Sequence, residues 1–167
     1  ESVNLAEMAA RASDLYGIER IRLGSLEPVF IDEKKVRLLA ENPKLCRQFH
    51  IALQSGSNAV LERMNRRYTA EEFLELVSMI RTYMPDSVFT TDMMVGFPGE
   101  TEEEFCESMA FARKVGFSKI HIFPYSPRKG TAAAKMDNQI SKEVKSERAA
   151  RLSEVAAECE RQFFASA

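Results

Sequence analysis

The chain has 167 residues, 45% of them hydrophobic, enough for one ordinary domain with a sizeable core, or for a piece of a larger one. Its 23 basic and 25 acidic residues leave a formal net charge of -2 and are mixed along the sequence, so no global field draws nucleic acid or an anionic membrane. No apolar run approaches the roughly 18 residues that span a bilayer, and the three cysteines are widely separated with no CxxC spacing, which points to reduced thiols in a soluble cytoplasmic protein and to no metal site held by this chain alone.

Short β-like runs alternate with longer helical ones, the pattern of βα units building a parallel sheet under a helical layer. The chain opens on Glu1 without a methionine or a signal-peptide core, as an excised or processed chain would. A helix is expected over Asn4 to Leu15, then a strand in "ERIRLGS", Glu19 to Ser25. Just past it, Ser25 and Glu27 precede Pro28, which stops the strand. A carboxylate there suits a ligand ammonium or ribose hydroxyl; a capped surface loop is the plainer alternative.

A helix near Asp32 to Glu41 leads to the second strand, "RQFHIALQS". Its end, "LQSGSN", offers the Gln54 amide and the Ser55 hydroxyl for ribose or carboxylate binding, with Gly56 permitting close approach and Ser57 placed to cap a short helix. An ordinary βα turn reads equally well. Arg63, Arg66 and Arg67 follow in "ERMNRRY". A solvated charged face accounts for them better than a phosphate or RNA contact, since three arginines do not make a nucleic-acid footprint.

Thr69 with Glu72, and Thr101 with Glu104, each set a hydroxyl three residues before a carboxylate. Both are capping boxes that start helices, over Ala70 to Tyr83 and Glu102 to Val115. Between those helices runs the strand "SVFTTDMMV" and the turn "GFPGE". Gly96 and Gly99 allow a tight turn with exposed backbone N-H groups, but Glu100 and Glu102 to Glu104 oppose an anion, and neither a Walker A nor a GxGxxG pattern is present. What remains is a loop whose Phe97 and backbone suit an uncharged face such as a purine.

The fourth strand, "FSKIHIFPYS", ends on Phe123, Pro124, Tyr125 and Ser126, with Arg128 beyond. Adenine against this segment and plain aromatic core packing are both open. The segment "RKGTAAAKMDNQ" reads as the most loop-like stretch, and a last helix from about Ser141 to Phe163 carries apolar Val144, Leu152, Val155 and Phe163. His50 and His121 read as hydrogen-bonded core residues, and Asp92 with Glu27 as an acid-base pair only if the two meet.

"RIRLGSLEP", "HIALQSGSNAVLERMNRRYT", "TTDMMVGFPGETEEEF" and "HIFPYSPRKGTAAAKM", in this order, resemble the second half of the radical S-adenosylmethionine domain of tRNA methylthiotransferases. "RIRLGSLEP" and "RMNRRYT" are most similar to the branch acting on threonylcarbamoyl-adenosine beside the anticodon. The branches acting on isopentenyl-adenosine in tRNA or on a ribosomal-protein aspartate stay open.

The resemblance implies an α/β fold, a (βα)4 segment of a partial (βα)6 TIM-like barrel spanning residues 1-167 as one partial domain plus a C-terminal helix. It also implies S-adenosylmethionine and [4Fe-4S] clusters in the whole protein, cleavage of the cofactor to a 5'-deoxyadenosyl radical, and tRNA as partner. The CxxxCxxC loop that would hold the radical-generating cluster is not in this sequence, so the chain alone is expected to be inactive.

By position, the resemblance places Glu27, Gln54, Ser55, Gly96, Phe97, Gly99, Glu100, Phe123, Tyr125 and Ser126 against the cofactor. It places Arg66, Arg67 and Arg128 toward the substrate, and leaves the catalytic residues unassigned. A non-catalytic α/β module that binds a nucleotide or a partner is the alternative. A sheet cut at its first strand would leave an edge that favours self-association.

Overall fold

The computed structural model describes residues 3-166. Four parallel strands lie side by side in the order in which they occur, β1 (Ser25–Leu26), β2 (Gln48–Ile51), β3 (Val88–Val95) and β4 (Lys119–Pro124). Each crossover carries helix: α2 (Glu33–Ala40) after β1, α3 (Asn58–Arg63) and α4 (Ala70–Tyr83) after β2, and α5 (Glu102–Val115) after β3. Helix α1 (Leu5–Ser13) precedes the sheet and α6 (Lys142–Ser166) follows it.

One layer of helices covers one face of the sheet, with α1 on α2, α2 on α4, α4 on α5 and α5 on α6 in succession. Burial therefore alternates along β3, where Phe89, Thr91, Met93 and Val95 are enclosed and Val88, Thr90, Asp92 and Met94 are only half-buried. The core is built from the covered side: Phe49 stacks on its register partner Phe89 at 5.9 Å between ring centroids, over Phe73, Ile80, Phe105, Phe117 and Leu152, all essentially inaccessible. Cross-strand aromatic pairs of this kind fix register as well as burying area.

The capping boxes form as their spacing predicts: the Thr69 hydroxyl accepts the Glu72 N-H and the Thr101 hydroxyl accepts the Glu104 N-H, each reciprocated by the glutamate. Such a cap contributes about 1 kcal/mol, enough to define where α4 and α5 begin. Helix α1 is closed the same way by Asn4 and Glu7.

Two expectations need correction. The first strand shrinks from Glu19–Ser25 to Ser25–Leu26, preceded by a lone bridge between Ile21 and Leu45. An edge strand with a partner on one side only and Gly24 just before it has little to hold it regular. The stretch after β4 is less loop-like than its composition suggests: Ala133–Lys135 forms a 3-10 turn, and Ala133 and Met136 pack on Val60, Phe97 and Tyr125.

Candidate functional site

Ligands of parallel α/β folds bind at the carboxyl ends of the strands, and here that edge divides into two parts. At the ends of β1 and β2 the chemistry is open. Gln54 adopts φ +67°, a left-handed conformation that costs an L residue about 1–2 kcal/mol. It is held there by main-chain bonds to β3, its N-H on the Asp92 carbonyl at 2.9 Å and its carbonyl taking the Met94 N-H at 2.8 Å. Strain of this kind, kept in place by a rigid neighbour, gathers at ligand sites.

Exposed Glu27, just past β1, and half-buried Arg66 face each other at 3.8 Å, beyond hydrogen-bond reach, and the buried Arg66 Nε has no partner among the described residues. Tyr68 anchors the segment after Arg66 and Arg67: its hydroxyl donates to the Ala52 and Leu53 carbonyls at 2.9 and 3.0 Å. Burial pushes that phenol up to about 12. Arg67 and Arg128 are exposed.

Ser55 belongs to the packing beneath this edge. It is buried, its Oγ 3.0 Å from the Ser108 Oγ and accepting the Ser57 N-H at 3.2 Å. Ser57 occupies the N-cap of α3, but its hydroxyl makes no capping bond and is buried without a partner. Gly56 is required by α5, because a Cβ there would come within 2.6 Å of Phe111 Cβ and 2.9 Å of Ser108 Cα.

At the ends of β3 and β4 the main-chain amides of the turn are already engaged. The expected exposed amides of the glycine turn are instead satisfied internally: Gly96 N-H donates to Glu100 Oε2 at 2.7 Å, Gly99 N-H to the Asn138 carbonyl at 2.7 Å, and Glu100 N-H to the Phe97 carbonyl at 2.9 Å. A buried amide without a partner is costly, and here Glu100 folds back to supply one. Phe97 is buried edge-on against Tyr125, centroids 5.4 Å apart. The Tyr125 N-H joins the Val95 carbonyl at 2.9 Å, while its buried hydroxyl has no partner among the described residues. Phe123, at 51% exposure, and Ser126 lie open at the end of β4.

The sheet face away from the helices is polar. Arg22 Nε donates to Gln48 Oε1 at 2.8 Å, Gln48 Nε2 to Thr90 Oγ1 at 3.0 Å, and His50 Nδ1 lies 2.9 Å from the same hydroxyl, with its Nε2 3.3 Å from Asp92 Oδ2. His121 is exposed, its ring 5.8 Å from that of His50. Both histidines were expected in the core. The period-2 alternation that buries Phe49 and Ile51 turns His50 the other way, onto a face no helix covers. Asp92 accordingly meets His50, and Glu27 meets Arg66.

Sequence reasoning missed Arg148 and Lys145, which α6 brings against the glycine turn. Arg148 Nη1 donates to the Glu100 carbonyl at 3.0 Å and to Glu100 Oε2 at 2.7 Å, both side chains nearly inaccessible. Burial pushes the Glu100 carboxyl up, against the Gly96 N-H and Arg148, which pull it down. The available signal was spacing: Arg148 lies one turn before Leu152 on the stripe that continues through Val155 and Cys159.

Among the described residues no three His, Cys, Asp or Glu side chains gather to hold a metal ion. Cys46 precedes β2, exposed Cys106 lies in α5 and buried Cys159 in α6. No described helix is long and apolar enough to cross a membrane.

A family model for the radical SAM superfamily matches residues 3–112. Two curated relatives, the tRNA-2-methylthio-N(6)-dimethylallyladenosine synthases of Thermoanaerobacter sp. (strain X514) and Thermoanaerobacter pseudethanolicus (strain ATCC 33223 / 39E), are each 41% identical over 155 residues, 93% of this chain and 33% of theirs. The chain thus spans about a third of the length of these relatives. Among solved structures, the radical SAM enzyme coproporphyrinogen III oxidase (HemN) of Escherichia coli superposes with a TM-score of 0.67 at 19% identity, covering 81% of this chain and 32% of that one. The radical S-adenosylmethionine methyltransferase TsrM of Kitasatospora setae, with cobalamin and a [4Fe-4S] cluster bound, gives 0.56 at 21% identity over 71% of this chain and 23% of its own. At these identities the two structures speak to the fold alone.

Proposed function

This chain belongs to the radical SAM superfamily, and from that premise we propose that it forms part of a cytoplasmic enzyme that adds a methylthio group to a modified adenosine of tRNA, with S-adenosylmethionine at the carboxyl edge of the sheet. The observation that carries the reading is the identity to the two methylthio-adenosine synthases over nearly the whole chain.

The donor set at the edge fits the cofactor's chemistry. S-adenosylmethionine presents a carboxylate, an ammonium, ribose hydroxyls and a purine. The edge offers half-buried Arg66, whose Nη1 stands 3.8 Å from Glu27, the exposed Glu27 carboxylate, the strained Gln54 with its amide, and the open Phe123 ring. In this reading Arg66 and Glu27 hold the charged methionine end, Gln54 orients the ribose, and Phe123 excludes water from one purine face. The turn at Gly96, Phe97, Gly99 and Glu100, with Tyr125 behind it, supports that wall, and Ser55 and Ser126 flank it.

When bound, the cofactor and a cluster supply radical chemistry. The cluster does not fit on this chain, whose described residues gather no ligand set.

For the nucleoside, the N6 substituent distinguishes two readings. Threonylcarbamoyl carries a carboxylate, which suits an edge with Arg67 and Arg128 exposed, and we take it as the substrate. Dimethylallyl is wholly apolar and is favoured by the names of the relatives.

Incubating the full-length, iron- and sulfide-reconstituted protein with S-adenosylmethionine and tRNA carrying one or the other nucleoside, followed by nucleoside mass spectrometry, decides. Methylthiolation of the threonylcarbamoyl nucleoside supports the proposal, of the dimethylallyl nucleoside transfers it to the second reading, and of neither overturns both.

A further inference from the structure

The buried stripe of α6 is apolar except at Arg148, whose residue is 5% exposed, and the Glu100 that it meets is 3% exposed. A buried ion pair gains little over an apolar pair of similar volume, because both charges must leave water. What it supplies is geometry. One Arg148 nitrogen, Nη1, bonds the Glu100 carbonyl at 3.0 Å and Glu100 Oε2 at 2.7 Å, and that same carboxylate oxygen accepts the Gly96 N-H at 2.7 Å.

Gly96 and Glu100 are the two ends of the turn after β3, so a single guanidinium fixes the width of the turn through one carboxylate. Arg148 Nη2 lies 3.6 Å from Glu102, already in α5.

One turn earlier on α6, Lys145 donates to the Tyr125 carbonyl at 3.0 Å and lies over Gly96, where a Cβ would come within 2.1 Å of Lys145 Cγ. Two side chains of α6 therefore hold the exits of both β3 and β4. Gly96 adopts φ +70°, and its N-H donates to the carboxylate that Arg148 orients.

We propose that Arg148 is a positioning residue: by holding Glu100 against the Gly96 amide it sets the backbone of residues 96–100, and through it the affinity of the edge for S-adenosylmethionine. The second half of this statement rests on the cofactor reading above; the first does not.

The test uses the full-length protein without cofactor, reading amide hydrogen exchange at Gly96 and along β3, together with calorimetric titration of S-adenosylmethionine. Arg148→Met is compared with Arg148→Lys, which keeps a charge and a donor should the first variant fail to fold. Arg151→Met serves as the control, since Arg151 bonds Glu102 and Glu147 on the outside of the same helix.

Arg148→Met speeds Gly96 exchange about tenfold more than that of the β3 amides, and weakens S-adenosylmethionine binding about fivefold or more. Arg148→Lys falls between, and Arg151→Met does neither. Equal acceleration of Gly96 and the strand amides would reduce Arg148 to a structural residue and overturn the proposal, as would unchanged Gly96 exchange in both Arg148 variants. A looser Gly96 with undiminished affinity would overturn the link to the cofactor. A wild-type protein that binds no S-adenosylmethionine while Gly96 still responds supports the setting of the turn and overturns the cofactor reading alone.

Discussion

The two parts of the strand edge answer the same requirement in opposite ways. At β3 and β4 the turn is paired inward, Gly96 to Glu100, Glu100 to Arg148, Gly99 to Asn138; at β1 and β2 an arginine and a carboxylate stand too far apart for a hydrogen bond, and the second strand runs on into a strained glutamine. The contrast teaches that a glycine-rich turn at a strand end is not by itself a ligand loop. Its amides are taken by its own glutamate, the Phe97 carbonyl and the Asn138 carbonyl, and the free chemistry lies one strand over.

Substitutions on the two parts are accordingly expected to differ in what they cost the fold. The largest effect falls on the closed part: Arg148→Met leaves Glu100 buried without its cation and costs about 3–5 kcal/mol in denaturant unfolding. Arg66→Met, on the open part, costs about 1 kcal/mol or less, as expected of a partly exposed pair too far apart for a hydrogen bond. Equal losses from the two would erase the distinction.

Next comes Gly96→Ala, where the positive φ alone costs about 1–2 kcal/mol and Lys145 must also move aside. Its thermal midpoint falls while Gly24→Ala, at a position with nothing within reach of a Cβ, leaves the midpoint nearly unchanged. Thr101→Ala removes the cap of α5 and is expected to cost about 1 kcal/mol, with no change in ligand affinity.

The smallest effect is on pH dependence, and its sign differs between two glutamates of the same segment. Glu104 is held below its ordinary 4.5 first by its hydrogen bonds to Arg63, so its contribution is complete above 4.5 and is lost as pH falls through the lower folded value. Glu100 is shifted the other way by burial; its preference for the proton in the folded state contributes stability that is present below 4.5 and lost as pH rises through the raised value. The difference in unfolding free energy between the wild type and Glu104→Gln therefore shrinks on acidification, while that between the wild type and Glu100→Gln moves in favour of the wild type.

Much of the frame was legible because it is local. Capping boxes at Thr69 and Thr101, the β-like runs and the helical spacing of Leu152 and Val155 all announce themselves within a few residues. The short β1 was not, because an edge strand's regularity depends on what pairs beside it. The placement of His50 and His121 required knowing which face the helices cover. The role of Arg148 was hidden for a further reason: 48 residues separate it from Glu100, and its spacing with Leu152 signals burial but not the distant turn it meets. Gln54 and Glu27 were picked out from residue type, but the strain of the first and the incomplete pairing of the second are facts of the fold.

The free edge at β1 offers one more contrast with the closed side. Phe30 is 67% exposed beside an apolar cleft of about 510 Å³ lined by Leu5, Leu23, Leu26, Ile31 and Leu39. We propose that this chain, in isolation, associates with a second copy there. Sedimentation should show dimers or larger species that Phe30→Lys disperses; a monomer at high concentration contradicts this.

The central claim, that ligand chemistry resides at the open ends of β1 and β2, is tested most directly by titrating S-adenosylmethionine into the full-length protein carrying Arg66→Met or Gln54→Ala. The account predicts affinity lowered by about tenfold or more with the unfolding midpoint nearly unchanged; undiminished affinity in both variants would contradict it.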